Sequence, residues 1–164
     1  MPDGWIRQWG DPTLRLVARE VEQIDDILRQ QVLRMQRRLA AAQGAGLAAT
    51  QVGLLRRVFV FRRAPAREIE ALCNPRVLAH ADERQTFHEG CLSFNTIAVA
   101  VERPRAVQVE GYDLDGNARA FAVEGFGASL LQHEIDHLDG ILTLDRATSA
   151  ERRRAIRALT AAAA

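Results

Sequence analysis

The chain of 164 residues contains no lysine; all 22 of its basic residues are arginine. With alanine abundant as well, this reads as the imprint of a GC-rich coding sequence rather than a functional demand. Only two cysteines occur, Cys73 and Cys91, which is too few for a disulfide scaffold, so reduced thiols and a cytoplasmic location are the expectation. No apolar run approaches the length of a membrane span. The N-terminus lacks a basic segment followed by an apolar core, and Asp3, Asp11 and Glu20 count against a transit peptide. A net charge of +1 gives no general attraction to nucleic acid. Repeats, low-complexity blocks and long linkers are also missing, apart from the alanine-rich last residues.

What remains is an ordinary globular composition, 48% hydrophobic and 26% charged, in a length that suits one domain over 1–164 with a real core. Asp11-Pro12 marks an early turn. Ile24, Ile27, Leu28, Met35 and Leu39 recur at helical spacing among arginines, and Asp25 and Asp26 suit the start of that helix, which Gln43-Gly44-Ala45-Gly46 ends. Short β-prone runs follow at Val58–Phe61, Ile69–Cys73 (ending at Asn74-Pro75), Ile97–Val101, Ala106–Tyr112 and Ala118–Val123. Asp115-Gly116 supplies a hairpin turn between the last two. From about Gly127 to Leu138 the period returns to helical, with Leu131, Ile135 and Leu138 in phase, Leu130 widening the apolar surface and Gly140 as the stop. An Arg-rich helix from about Ser149 has Ile156 and Leu159 on one side. This order predicts an α+β fold: mainly antiparallel sheets packed around a central buried helix, with an N-terminal and a C-terminal helix.

The central helix carries Gln132-His133-Glu134-Ile135-Asp136-His137-Leu138-Asp139-Gly140. His133 and His137 lie one turn apart on one face, where both imidazoles can reach one metal ion, and two of the chain's four histidines are spent here. Glu134 beside them is placed to handle a proton on metal-bound water. A catalytic metal usually takes three protein ligands and leaves one position open. Asp145 and Glu151 lie downstream but carry no supporting pattern, which leaves a zinc-endopeptidase reading without a third ligand. Cys91, in Glu89-Gly90-Cys91-Leu92-Ser93, is the better candidate, since Gly90 lets backbone approach a ligand. Cys73, within an apolar strand, reads as a small buried hydrophobe. A third segment, Gly44-Ala45-Gly46-Leu47-Ala48-Ala49-Thr50-Gln51, is glycine-rich but lacks the strand-before, helix-after context of a dinucleotide site.

GAGLAATQ, EGCLS and QHEIDHLDG, in this order and spacing, resemble the three motifs of the peptide deformylases. The resemblance extends from Gln8-Trp9-Gly10-Asp11-Pro12 to about Asp145. It implies Cys91, His133 and His137 as ligands of one divalent metal ion, Fe(II) in the family, with Zn, Ni or Co able to occupy the same site. It implies Glu134 as acid/base, and Gln51 with the Leu92 backbone N–H as donors to a developing oxyanion. Gly46, with Ala45 and Gly90, is implied at the edge on which a peptide lies as an added strand. The implied activity is removal of the N-formyl group from the formylmethionine of nascent peptides, releasing formate. The implied partners are those peptides and the ribosome, with no membrane, no nucleic-acid site and a monomeric chain.

Asp136 or Gln132 is expected to support the metal ligands, Glu89 to pair with an arginine such as Arg103, and His88 to point away from Glu89. The chain departs from the family's usual pattern at Ala45, where a branched aliphatic residue is common, and at Phe94-Asn95 and Ile97-Ala98, where proline and arginine are common. These departures touch peptide engagement and selectivity. They raise two alternatives, a related metallohydrolase with another N-acyl substrate and a non-catalytic formyl-peptide-binding protein. Retention of Glu134 and Gln51 argues against the second, because pure binding needs neither a proton carrier nor an oxyanion donor.

Overall fold

The computed structural model describes residues 6–63, 68–94 and 97–163. Asp11 caps the first turn by accepting the Thr13 N–H, and Pro12, with no N–H to lose, opens the 3-10 turn Pro12–Arg15. Helix α1 (Asp26–Ala41) starts where the Asp25 carboxylate accepts the Leu28 N–H at 2.7 Å. Its buried face is Leu28, Val32, Met35 and Leu39. The expected face shifts by one position: Ile27 is 63% exposed and Ile24 precedes the helix, while Val32 turns inward.

Seven strands follow: β1 (Gly46–Ala48), β2 (Val58–Arg62), β3 (Ile69–His80), β4 (Arg84–Gly90), β5 (Ala98–Pro104), β6 (Ala106–Tyr112) and β7 (Ala118–Glu124). They form an antiparallel five-stranded sheet ordered β1-β2-β3-β6-β7 and a separate antiparallel pair β4-β5. The Asp113–Asn117 turn closes the β6–β7 hairpin, with Gly116 at φ 82°. Strand β3 does not end at Asn74-Pro75. Asn74 takes φ 50°, the ladder to β6 shifts register between Cys73 and Arg76, and the Asn74 side chain bonds both the N–H and the C=O of Val21. The turn chemistry is thus absorbed as a bulge. Strand β5 begins at Ala98, one residue later than expected.

Helix α2 (Phe126–Leu138) runs between the two sheets. Ala128, Leu131, Ile135 and Leu138 pack on Phe59, Phe61, Leu72, Val107, Val109 and Phe121 of the large sheet. Gly140 ends the helix at φ 71°, and a Cβ there would stand 2.5 Å from the Arg15 carbonyl oxygen, so only glycine fits. A short helix α3 (Thr143–Arg146) and helix α4 (Ser149–Ala163) follow. Helix α4 buries Ala155 and Leu159, whereas Ile156, expected on the same side, is 37% exposed. Beneath α3, α4 and β5 lies a further apolar cluster that includes Leu14, Phe94, Val99, Val101, Leu142 and Leu144.

Candidate metal centre

Helix α2 fixes His133 and His137 one turn apart, with both rings buried and their Nε2 atoms 3.2 Å from each other. The turn after β4 brings the Cys91 Sγ to 3.2 Å from the His137 Nε2. The three donor atoms lie within 4.8 Å of one another, and theirs is the one such Cys, His or carboxylate grouping among the described residues. Donors at about 2.0–2.3 Å from one tetrahedral ion stand roughly 3.3–3.6 Å apart, so two of these spacings fit a shared cation closely. Lone pairs this close repel one another unless positive charge lies between them. Against burial, the hydrogen bonds of Cys91 and Glu89 and the charges of Cys91 and Glu134 hold His133 well above the ordinary histidine range, while burial and the charge of His133 push His137 well below it. The thiolate-plus-imidazole donor set suits Zn, Fe, Ni or Co rather than Mg or Ca.

Glu134 is buried beside the ligands, and its Oε2 has no hydrogen-bond partner. Burial raises its carboxyl to about 7, opposed by His133 and reinforced by the charge of Glu89. A Cβ on Gly46 would collide with this carboxylate, so the glycine of β1 is what lets the acid reach the cleft. That requirement joins two of the sequence motifs in a way their spacing does not show.

Glu89 is the hub of a buried polar network. Its carboxylate accepts from Arg103 Nε at 2.5 Å and Nη2 at 3.0 Å, from Ser129 Oγ at 2.8 Å, and faces His133 Nδ1 at 3.0 Å. Burial would raise its pKa, but the bonds from His133 and Arg103 and their charges hold it at about 2. An ionised Glu89 fixes the His133 ring with Nδ1 as donor and leaves Nε2 for a metal. Arg103 also donates to Asp136 at 2.8 Å, and Arg146 of α3 completes that carboxylate at 2.7 and 3.1 Å. The expected Glu89–Arg103 pair is therefore present, and of the two supporting candidates Asp136 joins the network. Gln132 turns instead to the Pro104 and Ala128 carbonyls. His88 is exposed on β4, pointing away from Glu89. Cys73 is buried among apolar side chains, and burial lifts its thiol to about 11, far from any ligand role.

Gln51 lies in the 3-10 turn Ala49–Val52. The Ala48 N–H fixes its Oε1 at 2.9 Å, so its Nε2 must face the other way, donating to Ser93 Oγ at 3.0 Å and reaching Cys91 Sγ at 3.5 Å. Gln51 and Cys91 border a cleft of about 740 Å³ that also meets Ala45, Gly46, Gly90, Leu92 and Phe126. Of the expected site residues, Ala45, Gly46, Gln51, Gly90, Cys91, Leu92, His133 and Glu134 line this cleft, while His137 is buried 3.2 Å from both the Cys91 Sγ and the His133 Nε2. Phe94 is a buried core residue touching the cleft, Ile97 and Ala98 lie on its wall, and Asn95 lies outside the described residues. Ser93, Ser129 and Arg146 were not anticipated. Ser93 is the last residue of the EGCLS motif but had no role assigned, and Ser129 and Arg146 carry no local signal.

The polypeptide deformylase family model matches residues 4–153. A peptide deformylase of Desulforudis audaxviator is 41% identical over 149 residues, 91% of this chain and 96% of that one. One of Treponema pallidum is 41% identical over 148 residues, 90% of each chain. Among solved structures, a peptide deformylase from Legionella pneumophila superposes with TM-score 0.89 at 33% identity, covering 96% of this chain and 94% of that one. One from Synechococcus elongatus, in complex with actinonin, gives 0.88 at 35%, covering 94% and 85%.

Proposed function

The chain belongs to the polypeptide deformylase family, and we propose that Cys91, His133 and His137 hold the metal ion with which it removes the N-formyl group from formyl-methionyl peptides. It is a metal-dependent amide hydrolase that releases formate. The observation that carries the residue assignment is the convergence of a thiol and two imidazoles beside a buried carboxylate whose Oε2 has no hydrogen-bond partner. A divalent cation held there supplies a Lewis acid that makes water nucleophilic at neutral pH.

The chain's own groups do the rest. Glu134 takes the proton as water oxygen attacks the formyl carbon, and its Oε2, free of other partners, is the atom for the task. Gln51 Nε2 and the Leu92 N–H stabilise the developing oxyanion; losing one such donor costs about 3 kcal/mol. Glu134 then delivers the proton to the leaving nitrogen as the C–N bond breaks, giving formate and a free amine. Strand β1 uses Gly46–Ala48 to pair with β2 on one side, and its opposite edge at Gly46, with Ala45 and Gly90, takes the peptide backbone as a further strand.

Fe(II) is the metal we assign, with the whole chain acting as one catalytic domain on chains emerging from the ribosome. No helix among the described residues is long and apolar enough to cross a membrane. The test is formate release from formyl-Met-Ala-Ser beside its acetylated analogue, on anaerobically prepared protein with its metal measured. Turnover of the formyl peptide alone, with iron near one per chain, is expected. Equal turnover of the acetyl peptide returns the reading to a broader N-acyl hydrolase.

A further inference from the structure

The two proposed oxyanion donors come from segments that no strand ladder ties together. Gln51 follows β1, which belongs to the five-stranded sheet, while Leu92 follows β4, which belongs to the two-stranded one. Their relative position depends on cross-links between the two turns. Two are internal, Gln51 Nε2 to Ser93 Oγ and to Cys91 Sγ. The others come from a strap at the start of the described chain. The Arg7 N–H donates to the Gln51 carbonyl at 2.7 Å, the Gln8 Nε2 to the Leu92 carbonyl at 3.1 Å, and the Trp9 N–H to the Ser93 carbonyl at 2.8 Å. Three consecutive residues thus touch both halves of the donor pair.

The strap is itself held in place. Ile6 packs on the cluster beneath α1, which Leu92 and Val52 also border, and Trp9 packs on the cluster containing Phe94. The Gln8 amide also bonds Ile6 O at 3.1 Å, which orients it toward Leu92. A misplacement of about 1 Å at an oxyanion donor is enough to cost up to about 10²-fold in rate, so a tie across this gap bears on catalysis without touching substrate.

We infer that Gln8 is a positioning residue for the reaction, holding through the Leu92 carbonyl the turn that presents the Leu92 N–H. The inference rests on the assignment of Gln51 and Leu92 made above.

The test uses full-length, metal-loaded protein and formyl-Met-Ala-Ser, comparing wild type with Gln8→Ala, Gln8→Glu and Gln8→Lys. Gln8 is exposed, so none of these changes disturbs the core. Alanine and glutamate, which cannot donate to Leu92 O, should lower kcat about 3–10-fold, below the 10²–10³-fold loss of a whole donor. KM should stay within about twofold and metal content should not change. Lysine, an ammonium donor able to span the same gap, should recover most of the loss. The inference is overturned if the alanine and glutamate variants match wild type, if all three variants fall alike, or if the loss tracks metal content. Wild type that releases no formate instead overturns the function proposed above, a result independent of any Gln8 variant.

Discussion

Helix α2 has two buried faces that do opposite kinds of work. One lays Ala128, Leu131, Ile135 and Leu138 on a sheet whose Phe59, Phe61 and Phe121 stack edge to face at 5.4 and 5.7 Å. The other sets Ser129, His133 and Asp136 against Glu89 and Arg103 of the two-stranded sheet. Apolar contact is non-directional and stabilises in proportion to area buried. Buried ion pairs lose most of their Coulomb gain to desolvation, but their bonds are directional and fix where each atom sits. The large sheet holds the helix in the fold, and the small sheet aims its histidines.

The largest contrast comes from the polar face and its neighbouring thiolate. Replacing Cys91, His133 or His137 by alanine should strip the metal and with it formate release, since three ligands leave none to spare. Full occupancy in Cys91→Ala by metal analysis would break the assignment. Next in size, Glu134→Ala should keep its metal and lose about 10²–10⁴-fold in kcat. Near-normal turnover by the metal-replete variant removes Glu134 from the proton path.

A direct comparison of the faces sets Leu131→Ala beside Arg103→Ala. The first leaves a cavity and should cost about 2–5 kcal/mol of stability without changing metal affinity. The second takes away the arginine partner of the buried Glu89 carboxylate, while Asp136 keeps Arg146, and should cost about 3–5 kcal/mol. It should also lower metal affinity by about 10–100-fold, because Glu89, no longer fixed by Arg103, would orient the His133 ring less firmly. Chelator competition on both variants decides it: equal affinities would mean that the polar face does not aim the ligands.

The two glutamates of the centre should give pH dependences of opposite sign in the metal-free protein. Glu89 is held down at about 2, so between there and its ordinary value near 4.5 the unfolded chain binds the extra proton, and stability rises with pH across that window. Glu134 is raised to about 7, so from about 4.5 to 7 the folded chain binds the extra proton, and stability falls as pH rises. Melting curves of Glu89→Gln and Glu134→Gln against pH should each lose one of these slopes; loss of the same slope in both would refute the separation. The smallest effect concerns Ala45 at the cleft wall. Ala45→Ile should sharpen the preference for formyl-Met over formyl-Phe peptides, within the roughly 10–200-fold that single apolar groups command. An unchanged ratio in competition kinetics means the side-chain pocket is lined elsewhere.

Much of the fold was legible where local pattern and environment agree. The β6 and β7 runs, the acidic start of α1 at Asp25 and the Gly140 stop stand close to where the β-prone pattern, the helix dipole and turn chemistry put them. Strands β1 and β4 escaped for different reasons. The first has three residues, too few for a period, and the second, Arg84–Gly90, buries only Glu89 and so shows no apolar alternation. On α1 the register erred because Ile27 is apolar yet exposed at 63%, an ordinary event at a surface that polar atoms alone cannot cover. At the site, the proposed ligands and proton carrier stood out in the sequence because the proposed chemistry restricts residue type and spacing. Ser129 and Arg146 did not, since serine and arginine on a helix have many uses.

The sequence by itself determined the chemical inventory: a helix with two histidines and a glutamate on it, a thiol two residues after an acid, a glutamine in a glycine-led turn, and the apolar periods that bury them. Only the tertiary structure decided which acid faces His133 Nδ1, that Arg103 bridges Glu89 and Asp136, that Gly46 makes room for Glu134, and that residues 7–9 tie the Gln51 and Cys91–Ser93 turns together. The reason is one of range. Periodicity, capping and ligand spacing act over a few neighbouring residues and leave a mark in the local sequence. A hydrogen bond between two sheets is set by how the sheets close on the helix between them, and no local pattern records its partner.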